Sequence, residues 1–387
     1  MRRKWTMVFC LVLVGLLLPR FSAVAGEEFT VQDALGGIDL TEMEEYRQSL
    51  EQELALGLEQ GSLKEWLTAF VSGEWSFDFA ELMRGLFKYL FQVFIANSGL
   101  MARLLVLSAV SALLVQLQSS FGSGISRMSY MACFLALTAL AITSFATVLD
   151  IGQNTIDTMT GFMTAMLPQM LVLVAGLGNV NASLMLFPLL MGACTLFAQG
   201  IKNVVFPLIL ISAVLSLANQ VADTVKVEKL AALAAKLAQI CLGLFLTVFV
   251  GVVTLRTVYA TVLDKVALRT TRFVTDNAVP LVGKLMGDTV EVAAGYVVML
   301  KQALGLLGVL VVLGIVISPL VRIAIIALIY RVVAAVVEPM GDARTAVVLQ
   351  TLSGHLIMML AAIAAVGLMF FFMIAIVAGT ANGWAGT

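Results

Sequence analysis

Long uninterrupted apolar stretches dominate this sequence and limit what it can fold into. A segment that crosses a bilayer needs about 20 apolar residues and must satisfy its backbone hydrogen bonds internally, so such stretches are expected to be helices. Of the 387 residues, 61% are apolar and 12% are charged, which excludes an ordinary soluble protein. The sequence therefore predicts an all-α, polytopic membrane protein with about eight transmembrane helices. They lie at residues 100–118, 130–149, 183–200, 203–221, 238–255, 295–312, 317–334 and 354–378.

The first 25 residues have the three regions of a secretory signal peptide. Basic residues at positions 2–4 precede an apolar run over residues 5–18, and the small residues Ala23 and Ala25 follow. This run is shorter than the roughly 20 residues that a span needs, which favours cleavage after Ala25 over an uncleaved anchor helix. With either interpretation, the next segment is expected outside the cytoplasm.

Residues 26–99 form an acidic head. They carry 14 acids and 4 bases, whereas residues 100–387 carry 10 acids and 15 bases. Leucines at positions 50, 54 and 58 recur every fourth residue, which predicts an amphipathic helix. Residues 77–94 mix charges with bulky apolar side chains, as an interfacial helix does. The head either packs on itself or folds against a partner protein, and we expect it to be an exported docking surface.

Two further apolar stretches have a proline in their middle and are poor spans. Pro168 lies within residues 162–177, and Pro280 lies within residues 274–289. We expect both to be re-entrant or interfacial segments. The second is amphipathic, which is typical of an interfacial helix or of a re-entrant helix that lines an aqueous conduit. Its polar residues are Asp276, Lys284 and Asp288, and its GxxxG step, Gly283 and Gly287, lets another helix approach closely.

The prolines also indicate an internal repeat. Pro168 precedes Pro207 by 39 residues, and Pro280 precedes Pro319 by the same 39, at an offset of 112. Coincidence is the alternative, since the chain has seven prolines. We assign residues 100–149 to a helix pair, 150–255 to repeat one and 256–387 to repeat two. If each repeat combines three spans with one re-entrant segment, the two repeats are inverted relative to each other, as in many transporters.

Two basic residues fall inside predicted spans. Lys301 lies in the span over 295–312, and Arg322 follows Pro319 by three residues. A charge within the bilayer costs about 2.5–3.5 kcal/mol on insertion scales, so such residues are candidates for function. The alternative is that their long side chains reach the membrane interface.

Catalytic and cofactor motifs are absent from the sequence. It has no GxxxxGK[ST] loop, no GxGxxG after a strand and no HExxH, and it contains one histidine, His355, and four cysteines without a CxxC pair. We expect no enzymatic activity, no cofactor and no metal site, with the cysteines as free thiols and His355 as a hydrogen-bonding residue.

The second half resembles a known family. The segments RFVTDNAVPLVGKLMGDTVEVAAG, LKQALGLLGV, LIYRVVAAVVEPMGD and MFFFMIAIVAGTAN are similar to the stage III sporulation protein AE family of spore-forming bacteria. The resemblance implies a multi-pass protein of the mother-cell membrane around the forespore, with its head in the intermembrane space. It further implies a non-catalytic core subunit of a channel or transport complex that joins the two compartments and is required for endospore development.

The implied partners are other products of the same sporulation operon and a forespore-side channel protein. The operon products are small membrane subunits, ring-forming proteins and a secretion-type ATPase. No nucleic acid is expected. The alternative function is a self-sufficient secondary transporter built on inverted repeats, which would need intramembrane acids or a polar binding pocket.

Overall fold

The computed structural model describes the backbone of residues 41–54, 65, 67–68, 79–121, 124–176, 180–221, 226–278 and 283–379. All the elements in these ranges are helical. They are α1 (Thr41–Leu54), α2 (Phe79–Ala96), α3 (Ser98–Phe121), α4 (Gly124–Gly176), α5 (Val180–Gly200), a π-helical turn (Ile201–Val205), α6 (Phe206–Val221), α7 (Glu228–Ala278), α8 (Gly283–Val337), a 3₁₀ turn (Glu338–Met340) and α9 (Ala343–Gly379).

Six helical stretches in the described part of the chain are long and apolar enough to cross a membrane. They are Ser98–Gln116, Met128–Val174, Pro188–Val221, Glu228–Leu255, Val297–Met340 and Ala343–Ala378. The count is six instead of the predicted eight because two pairs of predicted spans are continuous helices. Residues 183–200 join 203–221 through the π-helical turn, and residues 295–312 join 317–334 inside α8.

The helix is not broken at Pro168, contrary to our prediction. Helix α4 runs from Gly124 to Gly176 and contains Pro168. Proline cannot donate a hydrogen bond to the carbonyl four residues earlier, here that of Thr164, but a helix can pass through a proline when its neighbours hold it. Buried Met163, Met166 and Met170 anchor this part of α4 in the core. The second predicted break, at Pro280, lies outside the described residues.

Helices α8 and α9 form a closely packed antiparallel hairpin. Gly305 lies against Ala378 near its open end, and Gly367 lies against Val316 further along. Ser353 donates a hydrogen bond to the carbonyl of Ala327, at 2.9 Å, nearer the turn. The turn depends on Gly341, whose φ of 97° is a conformation that other residues adopt only with strain.

Contacts with α4 determine the relative directions of α5, α6 and α8. Tyr330 of α8 donates to the carbonyl of Ala141, at 2.9 Å, and Gly308 of α8 contacts Met166, so α8 runs antiparallel to α4. Lys202 pairs with Asp157, and Phe206 lies against Gly152, so the α5–α6 rod is also antiparallel to α4.

The predicted inversion of the repeats therefore differs from the structure. The helix that begins next to Pro207 and the helix that contains Pro319 run in the same direction, and α7 and α9 return in the opposite one. Inversion required an odd number of crossings in each repeat. Because two pairs of predicted spans are continuous helices, α5–α6 with α7 forms one antiparallel pair and α8 with α9 forms the other. Each pair crosses an even number of times, so the two pairs are not inverted.

Candidate functional site

The acidic head contacts the bundle through α1. This helix is stabilised by an ion pair between Arg47 and Glu44, with Nη2 and Oε1 2.7 Å apart. Met43, which is 1% exposed, and Arg47, which is 7% exposed, lie one turn apart on the buried side with Tyr46, whereas Glu45 is exposed. This division of buried and exposed residues lets α1 lie on α4 while Glu45 faces outward.

Tyr46 is the central contact between the head and α4. Its ring meets Phe162 edge-on, with centroids 5.4 Å apart. Its hydroxyl lies over Gly161, where a Cβ atom would approach the Tyr46 oxygen to 2.7 Å. The absence of a side chain at position 161 therefore permits this close approach of α1.

A cleft of about 950 Å³ lies between α1 and α4. Pro168, the first proline of the predicted repeat, is on its wall. This segment therefore lines an open space, although α4 does not break there. The lining residues are Met43, Glu45, Tyr46, Ser49, Thr160, Gly161, Thr164, Ala165, Pro168 and Gln169.

Arg322 takes part in the second contact between the head and the bundle, which joins α2 to α8. The guanidinium Nε donates to the hydroxyl of Tyr89 on α2 at 3.2 Å, and that hydroxyl lies 2.7 Å from the hydroxyl of Ser318. Tyr89 and Ser318 are buried. Arg322 thus takes part in a polar cluster that ties α2 to α8 beside Pro319, at the position where the sequence predicted a charge within a span.

Lys301 is fully buried inside the bundle, with 0% of its surface exposed. The alternative that its side chain reaches an outer surface is therefore wrong for this chain. Lys301 also has an interaction partner within the structure. Lys301 and Arg322 belong to the same helix but are 21 residues apart, so the structure does not bring them together.

A buried carboxylate that sequence reasoning missed lies at the hairpin turn. Asp342 is 1% exposed and caps the first turn of α9, accepting bonds from the backbone N–H and the hydroxyl of Thr345 at 3.1 and 2.6 Å. Ser111 of α3 and Tyr130 of α4 also donate to it, at 2.5 and 3.2 Å. The signal was present as Gly341-Asp342 followed by Thr345, a helix N-cap pattern.

His355 is a hydrogen-bonding residue, as expected from the sequence, but it lies in the interior. It is 7% exposed. Its Nε2 lies 2.8 Å from the hydroxyl of Ser212, and its Nδ1 lies 2.8 Å from the carbonyl of Thr351. The same Ser212 hydroxyl is 2.8 Å from the carbonyl of Ala231, so these groups join α6, α7 and α9.

The ion pair between Lys202 and Asp157 was also missed. The two side chains are 2.5 Å apart, near the π-helical turn. Nothing in the sequence indicates this pair, because its members are 45 residues apart on different helices.

The remaining predicted conduit residues lie in a part of the chain whose side chains are outside the described residues. Asp276 lies in α7, and Lys284 and Asp288 lie in α8, but their side chains are outside the described residues, as is Pro280. Gly283 and Gly287 are in the first turns of α8, and no described contact shows which helix approaches them. Among the described residues, no group of three His, Cys, Asp or Glu side chains could hold a metal ion.

The cysteines Cys133, Cys194 and Cys241 are free thiols, as predicted. Cys194 is buried among apolar residues. The Cys133 thiol lies 3.4 Å from the carbonyl of Leu107. These cysteines pack as small side chains in and around the core.

Comparison with known proteins decides the family. The family model for stage III sporulation protein AE matches residues 61–381, which include the described bundle. The chain belongs to the stage III sporulation protein AE family. A member of this family, the stage III sporulation protein AE of Bacillus subtilis strain 168, is 32% identical over 327 residues. That match covers 84% of this chain and 82% of the relative. No solved structure matches the chain.

Family membership confirms the resemblance seen in the sequence. The protein therefore has a role in sporulation. Its long apolar helices make it a multi-pass membrane protein.

Proposed function

We propose that this family member is a non-catalytic membrane core subunit of the channel or transport complex between mother cell and forespore. It resides in the mother-cell membrane around the forespore, with the head in the intermembrane space. The single observation that carries the proposal is the family match over residues 61–381. The architecture supports it, because an acidic head is attached to an apolar helical bundle.

The attachment of the head supports a docking role. Helix α1 contacts α4 through Tyr46, and α2 contacts α8 through Tyr89. Glu45 and Gln48 on α1 are exposed. A head held at two points presents its acidic surface in a defined orientation, which reduces the entropy cost of binding a partner.

The polar clusters support a non-catalytic role. Asp342 accepts hydrogen bonds from three helices, and His355 bonds Ser212 and Thr351. Arg322 bonds the hydroxyl of Tyr89. These groups join helices to one another, which is a structural use of buried polar side chains.

The alternative of a self-sufficient transporter loses its main premise. It was based on inverted repeats, and the two proline-bearing helices instead run in the same direction. We therefore favour a subunit of a complex. The expected partners are the operon's small membrane subunits, ring-forming proteins and secretion-type ATPase, together with a forespore-side channel protein.

Co-purification tests the complex. The tagged protein, solubilised in mild detergent from sporulating cells, should carry the other operon products with it. A strain that expresses the same tagged protein during vegetative growth controls for non-specific capture. Recovery of the protein alone from sporulating cells would overturn the proposal.

Topology reporters test the location. A reporter that is active only outside the cytoplasm, fused directly after residue 95, should be active. The same reporter fused after Met1 controls for expression without export of the fusion. Activity of a cytoplasmic reporter at position 95 would show that the head does not reach the intermembrane space.

Thiol labelling tests the conduit. Asp276, Lys284 and Asp288 are replaced singly by Cys in a variant whose native cysteines are Ser. A membrane-impermeant thiol reagent should label at least one position if this segment is lined by water. A Cys at buried Leu304, which is 0% exposed, is the protected control. Complete protection at all three positions would exclude a water-lined segment.

A further inference from the structure

We propose that the cleft between α1 and α4 binds the lysine or arginine side chains of a basic segment of another polypeptide. The inference deepens the docking role of the head and rests on that proposed function for the identity of the partner. The argument itself depends on the chemistry of the lining.

Besides the Tyr46 hydroxyl and the Gln169 amide, which can donate, the lining has three hydroxyl groups that use their hydrogens within their own helices. Thr160 donates to the carbonyl of Ile156, and Thr164 donates to the carbonyl of Thr160, both at 2.8 Å. Ser49 donates to the carbonyl of Tyr46 at 2.9 Å. The three oxygens can therefore offer lone pairs to the cleft but no donor.

Pro168 leaves the carbonyl of Thr164 without its usual helical donor. A helix carbonyl normally receives the N–H of the residue four positions later, and Pro168 has none to give to Thr164. Both residues line the cleft. The unusual feature that the sequence indicated here therefore changes the hydrogen-bonding character of this wall, although it does not break the helix.

Glu45 gives the cleft a negative charge. It is exposed on α1, and within the described part of the chain no ion pair includes it. The neighbouring Glu44 differs, because Arg47 pairs with it. A carboxylate among acceptor oxygens repels anions and attracts donors that carry positive charge.

The apolar part of the lining fits the stem of a basic side chain. Met43, Ala165 and the Pro168 ring supply aliphatic surface, and Tyr46 supplies an aromatic ring. Lysine and arginine bury their methylene groups along such surfaces while the charged end meets acceptors, and both are attracted to an aromatic face.

The size of the cleft and the charge of the head favour a peptide segment over a single small ion. A space of about 950 Å³ is large enough for several side chains. The head as a whole carries 14 acids and 4 bases, so its field attracts basic segments toward the cleft and accelerates their association.

Binding of a defined probe tests the site. The full-length protein in phosphatidylcholine nanodiscs, which carry no net lipid charge, is titrated into fluorescein-labelled hexalysine at low salt and at 150 mM NaCl. The matched probe is the same peptide with every side-chain amine acetylated. We expect saturable binding of hexalysine, weaker binding at higher salt, and at least tenfold weaker binding of the acetylated peptide. No saturable binding, or equal binding of both peptides, would overturn the proposal.

Two variants locate the binding. Glu45→Gln removes the charge with little change of shape and should weaken binding about two- to fivefold, as expected for loss of an exposed charge contact. Glu228→Gln, at an exposed acid in the first turn of α7, should leave binding unchanged. Gly161→Ala should also weaken binding, because the new Cβ displaces the Tyr46 hydroxyl. An equal effect of Glu45→Gln and Glu228→Gln would show diffuse surface attraction and no site in the cleft.

Thermal unfolding of each variant shows whether a loss of binding reflects misfolding. If Gly161→Ala does not fold, the binding of hexalysine to Glu45→Gln tests the proposal. Failure of the inference and of the proposed function can also be distinguished. If Glu45→Gln weakens hexalysine binding as expected but retains all partners in sporulating cells, the cleft is not where the partner docks and the complex still stands. If the wild-type protein binds hexalysine but co-purifies with no partner, the proposed function fails.

Discussion

The α8–α9 hairpin and helix α7 are similarly apolar but have opposite surroundings. In each hairpin helix, 56% of the most apolar window is buried inside the protein, whereas in Glu228–Leu255 of α7 only 11% is buried. Lipid and a protein core are both apolar, so hydropathy alone does not separate them. Close helix contacts do: Gly305 and Gly367 touch the opposite hairpin helix, while Gly243 and Gly251 of α7 have open space where a side chain would extend.

Among the substitutions that test this difference, Gly305→Ala is expected to change the stability most. The new methyl group would overlap the Cβ of Ala378, which has no flexible side chain to move away. The hairpin helices must then separate, and we expect the free energy of unfolding to fall by about 2–3 kcal/mol. Thermal unfolding in detergent measures the change. Unaltered stability would mean that the hairpin is not packed this closely.

A similar but slightly smaller effect is expected at the hairpin turn. Asp342→Ala removes the cap of α9 and leaves buried Ser111 without its acceptor, and we expect a loss of about 2 kcal/mol in the free energy of unfolding. Asp150→Asn is the control, since Asp150 is exposed on α4, and it should change the same melting curve little. Equal effects of the two substitutions would contradict the structural role of Asp342.

The contact between the head and the bundle should show a moderate effect. Tyr89→Phe keeps the ring but removes the hydroxyl that joins Ser318 and Arg322. We expect a loss of about 1 kcal/mol and faster proteolysis within the head. Phe87→Leu, at an exposed position of the same helix, is the matched control. Protease resistance equal to that of the wild type would show that this contact does not hold the head.

The smallest effect, of opposite sign, is expected on α7. Gly251→Ala fills open space and improves helix propensity, so we expect a gain of about 0.5–1 kcal/mol in the isolated chain. Melting of the protein purified from vegetative cells measures it. A loss of stability comparable to that of Gly305→Ala would show that another helix packs on α7, and the comparison with the hairpin would fail.

Helix formation and membrane embedding could be predicted from the sequence. The apolar runs predicted every long helix of the described bundle, but two predicted pairs of spans proved to be continuous. The helix continues through residues 201–202, the gap between two predicted spans, where Asp157 pairs with Lys202 and Gln199 lies 3.4 Å from Asn203. Their polar groups are satisfied on the bundle, so the chain need not leave the helix there.

The site residues were predicted less well because their surroundings come from helices that are distant in the chain. Pro168 was singled out as a helix break, whereas its place on the wall of the cleft depends on Tyr46, more than 100 residues earlier. Arg322 and Lys301 were recognised as unusual charges, yet the burial of Lys301 and the contact of Arg322 with Tyr89 depend on distant helices. Side chains separated by such lengths of chain leave no periodic signal in a single sequence.

Composition and periodicity were sufficient to identify helices, the acidic head and the membrane as solvent, because those depend on each residue's own chemistry and its near neighbours. The direction of the two units, the pairing of Asp157 with Lys202 and the four hydrogen bonds to Asp342 depended on how the helices pack. The physical reason is that an apolar helix surface is stable against either lipid or protein. Only contacts between helices that are distant in the chain select one arrangement.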